Sequence, residues 1–123
     1  MQITDGADTL AVNADGSINT QPATTNASFQ SAAQLAFGSI GAGYSSLKVL
    51  SADARIVTLL SNLDQPIVIS FDGGTTDHQY LDVGQSFSYE FAANGQVLAS
   101  ATDIQVKHDG VAPTAGRITI SVV

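Results

Sequence analysis

The sequence predicts an all-β protein: an antiparallel β-sandwich of jelly-roll or Ig-like topology, preceded by an extended N-terminal arm or hairpin. Short runs rich in β-branched and apolar residues recur about every 8 to 12 residues. Turn signals such as Asp-Gly and Asn-Gly separate these runs, and no stretch has a convincing long helical periodicity. We therefore divide the chain into an arm over residues 1–27 and a β-sandwich domain over residues 28–123.

The length and composition are those of one domain with an uncharged surface. A chain of 123 residues can bury roughly two-thirds of the surface of its unfolded state. Charged residues make up only 12% of the sequence and hydrophobic residues 44%, so small and polar uncharged residues must cover much of the surface. Such a surface is typical of a protein that packs against others or stays neutral.

Several classes of function are excluded or disfavoured by composition. The absence of cysteine excludes disulfides, thiolate catalysis and cysteine-ligated zinc. The net charge is −7, which serves solubility or docking on a basic protein surface. A phosphate backbone needs a basic footprint, so we expect no direct nucleic-acid ligand. The cations are scattered, at Lys48, Arg55, Lys107 and Arg117.

Neither a membrane span nor a secretion signal is predicted. No stretch approaches the roughly 20 apolar residues that cross a bilayer. The first residues lack the basic and apolar regions of a cleaved signal peptide. We expect a protein made in the cytoplasm, with no membrane partner.

The first 27 residues predict an arm with a short hairpin. Leu10 and Val12 alternate with small or polar neighbours, and Asp15-Gly16 is a two-residue turn signal. A hairpin this short is marginal in water, so we expect it to lie on the rest of the domain or on a neighbouring subunit. The alternative is a frayed terminus. The small polar residues around Pro22 predict a linker.

The centre of the domain is predicted to be a buried β-hairpin over Ile56–Gly74. Two β-branched, apolar runs flank a polar connection, Asn62–Pro66, and Asp72-Gly73-Gly74 supplies positive φ angles for the next turn. Further strands are predicted at Ser28–Phe37, where a helical spacing competes, and at Tyr80–Val83, Ser86–Phe91, Asp103–His108 and Arg117–Val123. In Ser86–Phe91, strict alternation places three aromatic rings on one face, which we expect in the core: Phe87, Tyr89 and Phe91.

One cluster of titratable residues suggests a metal or catalytic site. Carboxylates and imidazoles on a loop can ligate a divalent ion, or act as a base and the group that orients it. The candidates are Asp72, Asp77 and His78, joined by Asp82, His108 and Asp109. Their spacing matches no calcium loop, and no glutamate closes it. We favour ordinary turn chemistry, in which an Asp before Gly bonds to the backbone.

No other motif predicts catalysis. The sequence has no Gly-x-Ser-x-Gly elbow, and the glycine-rich Gly38–Gly43 lacks the Lys-Ser/Thr of a nucleotide loop. We therefore assign no catalytic, cofactor-binding or metal-binding residues and expect neither a cofactor nor enzymatic activity.

Parts of the sequence resemble small structural proteins of tailed bacteriophage virions. The resemblance covers residues 35–123 and is carried by LDQPIVISFDGG (Leu63–Gly74), with Asp77-His78, Tyr80-Leu81 and Gly84 after it, and by the close IQVKHDGVAPTAGRITISV (Ile104–Val122). Separately, the segment from Asp5-Gly6 to Ile18 resembles the start of several phage virion proteins.

This resemblance implies a non-enzymatic virion protein that decorates or cements a capsid, commonly as a homotrimer at a local symmetry axis. Its partner would be the major capsid protein or another virion protein, and its location the virion. The N-terminal arm, Gln2 to about Asn26, would lie on a neighbour. One alternative is a phage tail, adaptor or fibre-base protein. Another is a carbohydrate- or host-surface-binding module that uses the loop Asp72–Gln79.

Overall fold

The computed structural model describes residues 28–123, and the predicted arm over residues 1–27 lies outside the described residues. Two short 3-10 helices, Phe37–Ser39 and Phe91–Asn94, are the only helical segments of this part, and neither is long enough to span a membrane. The all-β prediction is confirmed. The eight strands are β1 (Ala33–Ala36), β2 (Ser45–Val49), β3 (Ile56–Ser61), β4 (Ile67–Ser70), β5 (Gln79–Leu81), β6 (Ser86–Glu90), β7 (Asp103–His108) and β8 (Arg117–Val122).

The strands form two four-stranded antiparallel sheets, in the orders β1-β8-β3-β6 and β2-β7-β4-β5. The pairs β1·β8, β2·β7, β3·β6 and β4·β5 are nested, as in a long antiparallel ribbon folded at its β4–β5 end and rolled up. The additional pairs β3·β8 and β4·β7 complete the sheets. Eight strands in this nested order form a jelly roll, which decides between the two predicted topologies.

The core lies between the two sheets and follows the period of two along each strand. In β3, Val57 and Leu59 are fully buried, whereas Thr58 and Leu60 face outwards. The same alternation holds for β8, and the facing sheet supplies the other half of the core. Its fully buried members are Ile67, Ile69, Leu81, Ile104 and Val106. Hydrophobic burial between these inner faces is the main stabilising term of the fold.

The first strand is shorter than predicted. Of the range Ser28–Phe37, only β1 is a strand, and no α-helix forms there. The chain nevertheless runs beside β8 before β1 begins, because the Gln30 N–H donates to the Val122 carbonyl at 3.0 Å.

The predicted hairpin between β3 and β4 is wrong. β3 pairs with β6 and β8, whereas β4 pairs with β5 and β7, so the two strands lie in different sheets. The connection between them crosses the sandwich and buries Leu63 completely. The Arg117 N–H donates to Asn62 Oδ1 at 2.7 Å, and the Thr114 N–H donates to Asp64 Oδ1 at 2.8 Å. The polar residues of the connection thus bind the β7–β8 loop and form an arch between the sheets.

The predicted burial of the aromatic row is only partly correct. Phe87 pairs with Leu59 and Tyr89 with Val57, so both rings point to the inner side of their sheet. Phe87 is nevertheless 36% exposed, and Tyr89 and Phe91 are only partly buried against the core. The reason is that β6 is an edge strand. Tyr89 and Phe91 stack at a centroid distance of 5.6 Å, and Phe71 meets Tyr89 edge-on at 5.0 Å.

Truncation of two adjacent leucines should distinguish the two faces of β3. Leu59→Ala should lower the free energy of unfolding by about 2–5 kcal/mol, because it opens a cavity at a fully buried position. Leu60→Ala, at a side chain that is 53% exposed, should change it by about 0.5 kcal/mol or less. Urea unfolding monitored by circular dichroism measures both values. Equal losses would contradict the register of β3.

Two glycines with similar backbone angles test the arch. Gly116 (φ +91°) and Gly110 (φ +88°) both lie in the left-handed region, but a Cβ on Gly116 would lie 2.1 Å from the Asn62 carbonyl oxygen, whereas one on Gly110 meets nothing within 4 Å. Gly110→Ala should cost about 1–2 kcal/mol of backbone strain. Gly116→Ala should cost at least about 1–3 kcal/mol more, because the arch must move. Urea unfolding of the two variants would contradict this contact if both lost the same stability.

Candidate functional site

The candidate residues Asp72, Asp77 and His78 lie in the loop between β4 and β5, residues 71–78. This loop packs on the outer face of the β2-β7-β4-β5 sheet. A Cβ on Gly74 would lie 2.8 Å from Gln105 Oε1 and 3.1 Å from Tyr44 Cβ, so the backbone approaches that face closely. Gly73 and Gly74 have φ angles of 74° and 92°, as the sequence predicts. Glycine is therefore required at Gly74 both for its φ angle and for space.

The Asp72 carboxylate organises the beginning of the loop. Its Oδ1 accepts hydrogen bonds from the Ser70 hydroxyl at 2.7 Å, from the Thr75 N–H at 3.1 Å and from the Thr76 N–H at 2.9 Å. Hydrogen bonds from Thr76 and Ser70 hold the pKa of Asp72 well below its usual value. The predicted turn chemistry of this aspartate is therefore confirmed.

His78 closes the loop onto its first residue. Its Nδ1 accepts a hydrogen bond from the Phe71 N–H at 3.0 Å, and its ring lies 5.7 Å from the Phe71 ring. The Nε2 atom is 3.9 Å from Asp72 Oδ2. Because Nδ1 uses its lone pair on a backbone donor, it is not free to ligate a metal. His78 thus braces the loop.

Asp77 lies in a cluster with Tyr44, Tyr80 and Lys107 on the outer face of the sheet. The Tyr44 hydroxyl donates to Asp77 Oδ1 at 2.5 Å, and the Tyr80 hydroxyl lies 3.4 Å from Oδ2. The Lys107 ammonium is 3.4 Å from Oδ1 and 4.7 Å from the centroid of the Tyr44 ring. The hydrogen bond from Tyr44, together with the Lys107 ammonium, lowers the pKa of Asp77. Burial and the nearby Asp77 carboxylate raise the pKa of Tyr44.

Sequence reasoning did not find the partners of Asp77. Tyr44 is 33 residues away along the chain, and Lys107 is reached only because β7 lies beside β4. The sole signal was the alternation in β7, which places Lys107 opposite the outward-facing Val68. That signal becomes useful only once the pairing of the strands is known.

The other candidates lie at the far end of the sheet. Ile67, at the opposite end of β4 from the loop, pairs with both Leu81 and His108. Asp82, His108 and Asp109 are therefore separated from the loop by the length of β4, about 10 Å. The His108 Nδ1 atom is buried and has no hydrogen-bond partner in the described part of the chain. Within residues 28–123, no three His, Asp or Glu side chains come together in a way that could hold a metal ion.

Comparisons with protein-family models, with curated proteins and with solved structures gave no match to this chain. The carboxylates of Asp72 and Asp77 bind donors of the protein itself, which assigns them a role in fixing the loop. At the rim of the loop, Tyr80 is 55% exposed, and the side chains of Asp77 and Lys107 beside it are 40% and 27% exposed.

The stability of the protein should fall as the pH decreases below about 4. Asp64, Asp72 and Asp77 all have a lowered pKa in the folded state, because each accepts hydrogen bonds there. Their contribution is fully present above the ordinary aspartate pKa of about 3.9 and is lost as the pH falls through the lower folded-state values. Urea unfolding at a series of pH values measures how the free energy of unfolding changes with pH.

A pair of neutralised variants provides the control. Asp72→Asn keeps an acceptor oxygen but removes the titrating group, so it should reduce this pH dependence. Asp109→Asn removes the same charge at a side chain that accepts no hydrogen bond within residues 28–123, and it should leave the slope unchanged. If both variants reduced the pH dependence of the unfolding free energy equally, net charge and not these hydrogen bonds would set that dependence.

Proposed function

We propose that this chain is a non-enzymatic virion structural protein, a decoration or cement protein that binds the outside of a capsid and stabilises the shell. The observation that carries the proposal is the outer face of the β1-β8-β3-β6 sheet. Alternation and register direct eleven side chains outwards there, and only Arg117 and Glu90 among them are charged. The central ones are Gln34, Thr58, Leu60, Ser88, Thr119 and Ser121.

This face shares one feature with the centre of protein interfaces, which is the scarcity of charged side chains. Charged residues are depleted at the centre of interfaces, and both charged side chains lie at the margin, at the start of β8 and the end of β6. The outer face of the other sheet differs, because the β4–β5 loop already packs on it. A sheet face that nothing within residues 28–123 covers and that is nearly uncharged favours a packing role over catalysis.

The sequence resemblance supports the more specific assignment. It points to a homotrimer, to the major capsid protein as partner and to an N-terminal arm that lies on a neighbour. Such an arm adds attachment points, and several weak contacts together bind far more tightly than one. The mechanism is physical: a protein that binds the expanded shell selectively shifts the population towards that state and raises its resistance to rupture.

A carbohydrate- or host-surface-binding module is the second candidate. The observation in its favour is Tyr80, which is 55% exposed and lies beside Asp77 and Lys107. An exposed aromatic ring next to polar groups suits a sugar, which presents both C–H and hydroxyl groups. The polar groups of this cluster are largely engaged with one another, so we rank it second.

Leu60→Glu should weaken the binding of the protein to capsids about tenfold or more, because it places a charge at the centre of the proposed interface. Val49→Glu is the matched control: Val49 is 54% exposed, close to the 53% of Leu60, but it lies on the other sheet. Binding is measured by co-sedimentation with capsids, and shell stability by resistance to heat and chelators.

Three results would contradict the proposal. The first is equal heat and chelator resistance of particles with and without the protein. The second is equal binding of the two glutamate variants and the wild type. The third is glycan binding that Tyr80→Ala abolishes, which would support the carbohydrate module. A single ring of copies at one vertex, in place of many copies over the shell, would favour the tail or adaptor role.

A further inference from the structure

The edge strand β6 is unusually unprotected. Edge strands normally carry a bulge, a lysine or a proline, or are very short, because a free edge invites another strand. The edge strand β2 has a register shift and carries Lys48, β5 has three residues and β1 has four. β6 has five residues, pairs regularly with β3 and contains neither lysine nor proline, and its one charged side chain, Glu90, is its last residue.

The backbone of β6 has a free hydrogen-bonding side. The Ser61 N–H donates to the Gln85 carbonyl at 3.0 Å, and the Phe91 N–H donates to the Arg55 carbonyl at 2.7 Å. Peptide groups alternate in direction along an antiparallel strand, so the odd-numbered residues of this segment face β3. The even-numbered residues of β6 therefore direct their N–H and C=O groups away from β3, and no backbone group within residues 28–123 pairs with them.

The side chains at this edge define what would fit. The inner side presents Phe87 and Tyr89, both partly exposed. The outer side presents the hydroxyls of Ser86 and Ser88, with Glu90 at the end of the strand, and Ser88 Oγ lies 3.0 Å from Thr58 Oγ1. A complementary strand would have apolar side chains on one face and small or polar ones on the other, without charge.

We propose that the segment Thr9–Asn13 of a neighbouring copy adds to β6 as a fifth strand. This segment has five residues, as β6 has, and contains no charge and no proline. Leu10 and Val12 are two residues apart and would share one face, beside the aromatic row of β6. Addition of an extended segment to a free sheet edge is a general mode of recognition, in which backbone hydrogen bonds supply affinity and alternate side chains supply specificity.

The length of the intervening chain permits this arrangement. The described chain begins beside β1 and β8, on the edge of the sheet opposite β6, roughly 14 Å away at three strand spacings. Residues 14–27 span up to about 45–50 Å when extended. The choice of a neighbouring copy rests on the proposed function. To reach β6 of its own copy, the segment would cross and cover a face of its own sandwich. Transfer to a neighbour leaves the proposed capsid-binding face open.

The test measures self-association of the full chain by analytical ultracentrifugation. Ser88→Pro removes an N–H from the free side only, and proline is tolerated on an edge strand where the N–H is unpaired. Val12→Asp places a charge against the aromatic row. Each variant should raise the dissociation constant of assembly about tenfold or more. The double variant should have the same dissociation constant as the single variants, because both substitutions remove the same contact. Ala23→Asp, with the same change of charge in the linker, should assemble like the wild type.

Additive losses, an effect of Ala23→Asp equal to that of Val12→Asp, or a wild type that stays monomeric at every concentration would overturn the inference. If Ser88→Pro shows no cooperative unfolding, Ser88→Lys takes its place, because an edge lysine blocks strand addition and leaves the backbone intact. Capsid binding by a chain that does not self-associate would overturn this inference alone and leave the proposed function standing.

Introduced cysteines identify which copy supplies the strand, because the chain has none of its own. The double variant Val12→Cys/Phe87→Cys should form disulfide-linked oligomers on a non-reducing gel after mild oxidation. The control pair Val12→Cys/Val49→Cys should form none, because β2 belongs to the other sheet. A disulfide found only within single chains would show the segment on its own β6 and would overturn the assignment to a neighbour.

Discussion

The fold depends on the crossing of the chain from one sheet to the other between β3 and β4. Leu63 is fully buried at this crossing, and Asn62 and Asp64 on either side of it bind the backbone of the β7–β8 loop. Gly116 allows that loop to touch the arch. The β3–β4 connection and the β7–β8 loop therefore fix each other. Together they place β3 beside β8 and β4 beside β7. Both sheets are completed by this contact, so the strand order of the jelly roll follows from it.

The sequence was sufficient to place most strands but not to pair them. Alternation and glycine-containing turns are local signals, and they located β6, β7 and β8 to within a residue or two. Pairing is a distant property: the hydrogen bond from Arg117 to Asn62 spans 55 residues. The connection Asn62–Pro66 has the polar composition of a hairpin turn, which is why the hairpin prediction was wrong. The signal that could have corrected it is Leu63, because a large apolar residue in a short turn must find a buried place.

The same division between local and distant information explains the aromatic row and the candidate site. Alternation correctly gave the face of Phe87 and Tyr89, but exposure also depends on whether a strand is central or at the edge of its sheet. The role of Asp72 was predictable because all its donors lie within four residues. The environment of Asp77 was not, since Tyr44 comes from beyond another strand and reaches it only in the folded sheet.

The distribution of charge reconciles an acidic chain with the proposed packing role. A net charge of −7 opposes the association of identical subunits if the carboxylates lie between them. Asp64, Asp72 and Asp77 instead accept hydrogen bonds from their own chain, in loops at the ends of the sheets and on the covered outer face. The open face of the β1-β8-β3-β6 sheet keeps only one carboxylate, Glu90, at its margin. Within residues 28–123, these carboxylates therefore lie away from the proposed binding face, and that face retains small polar and apolar groups that two proteins can bury at low desolvation cost.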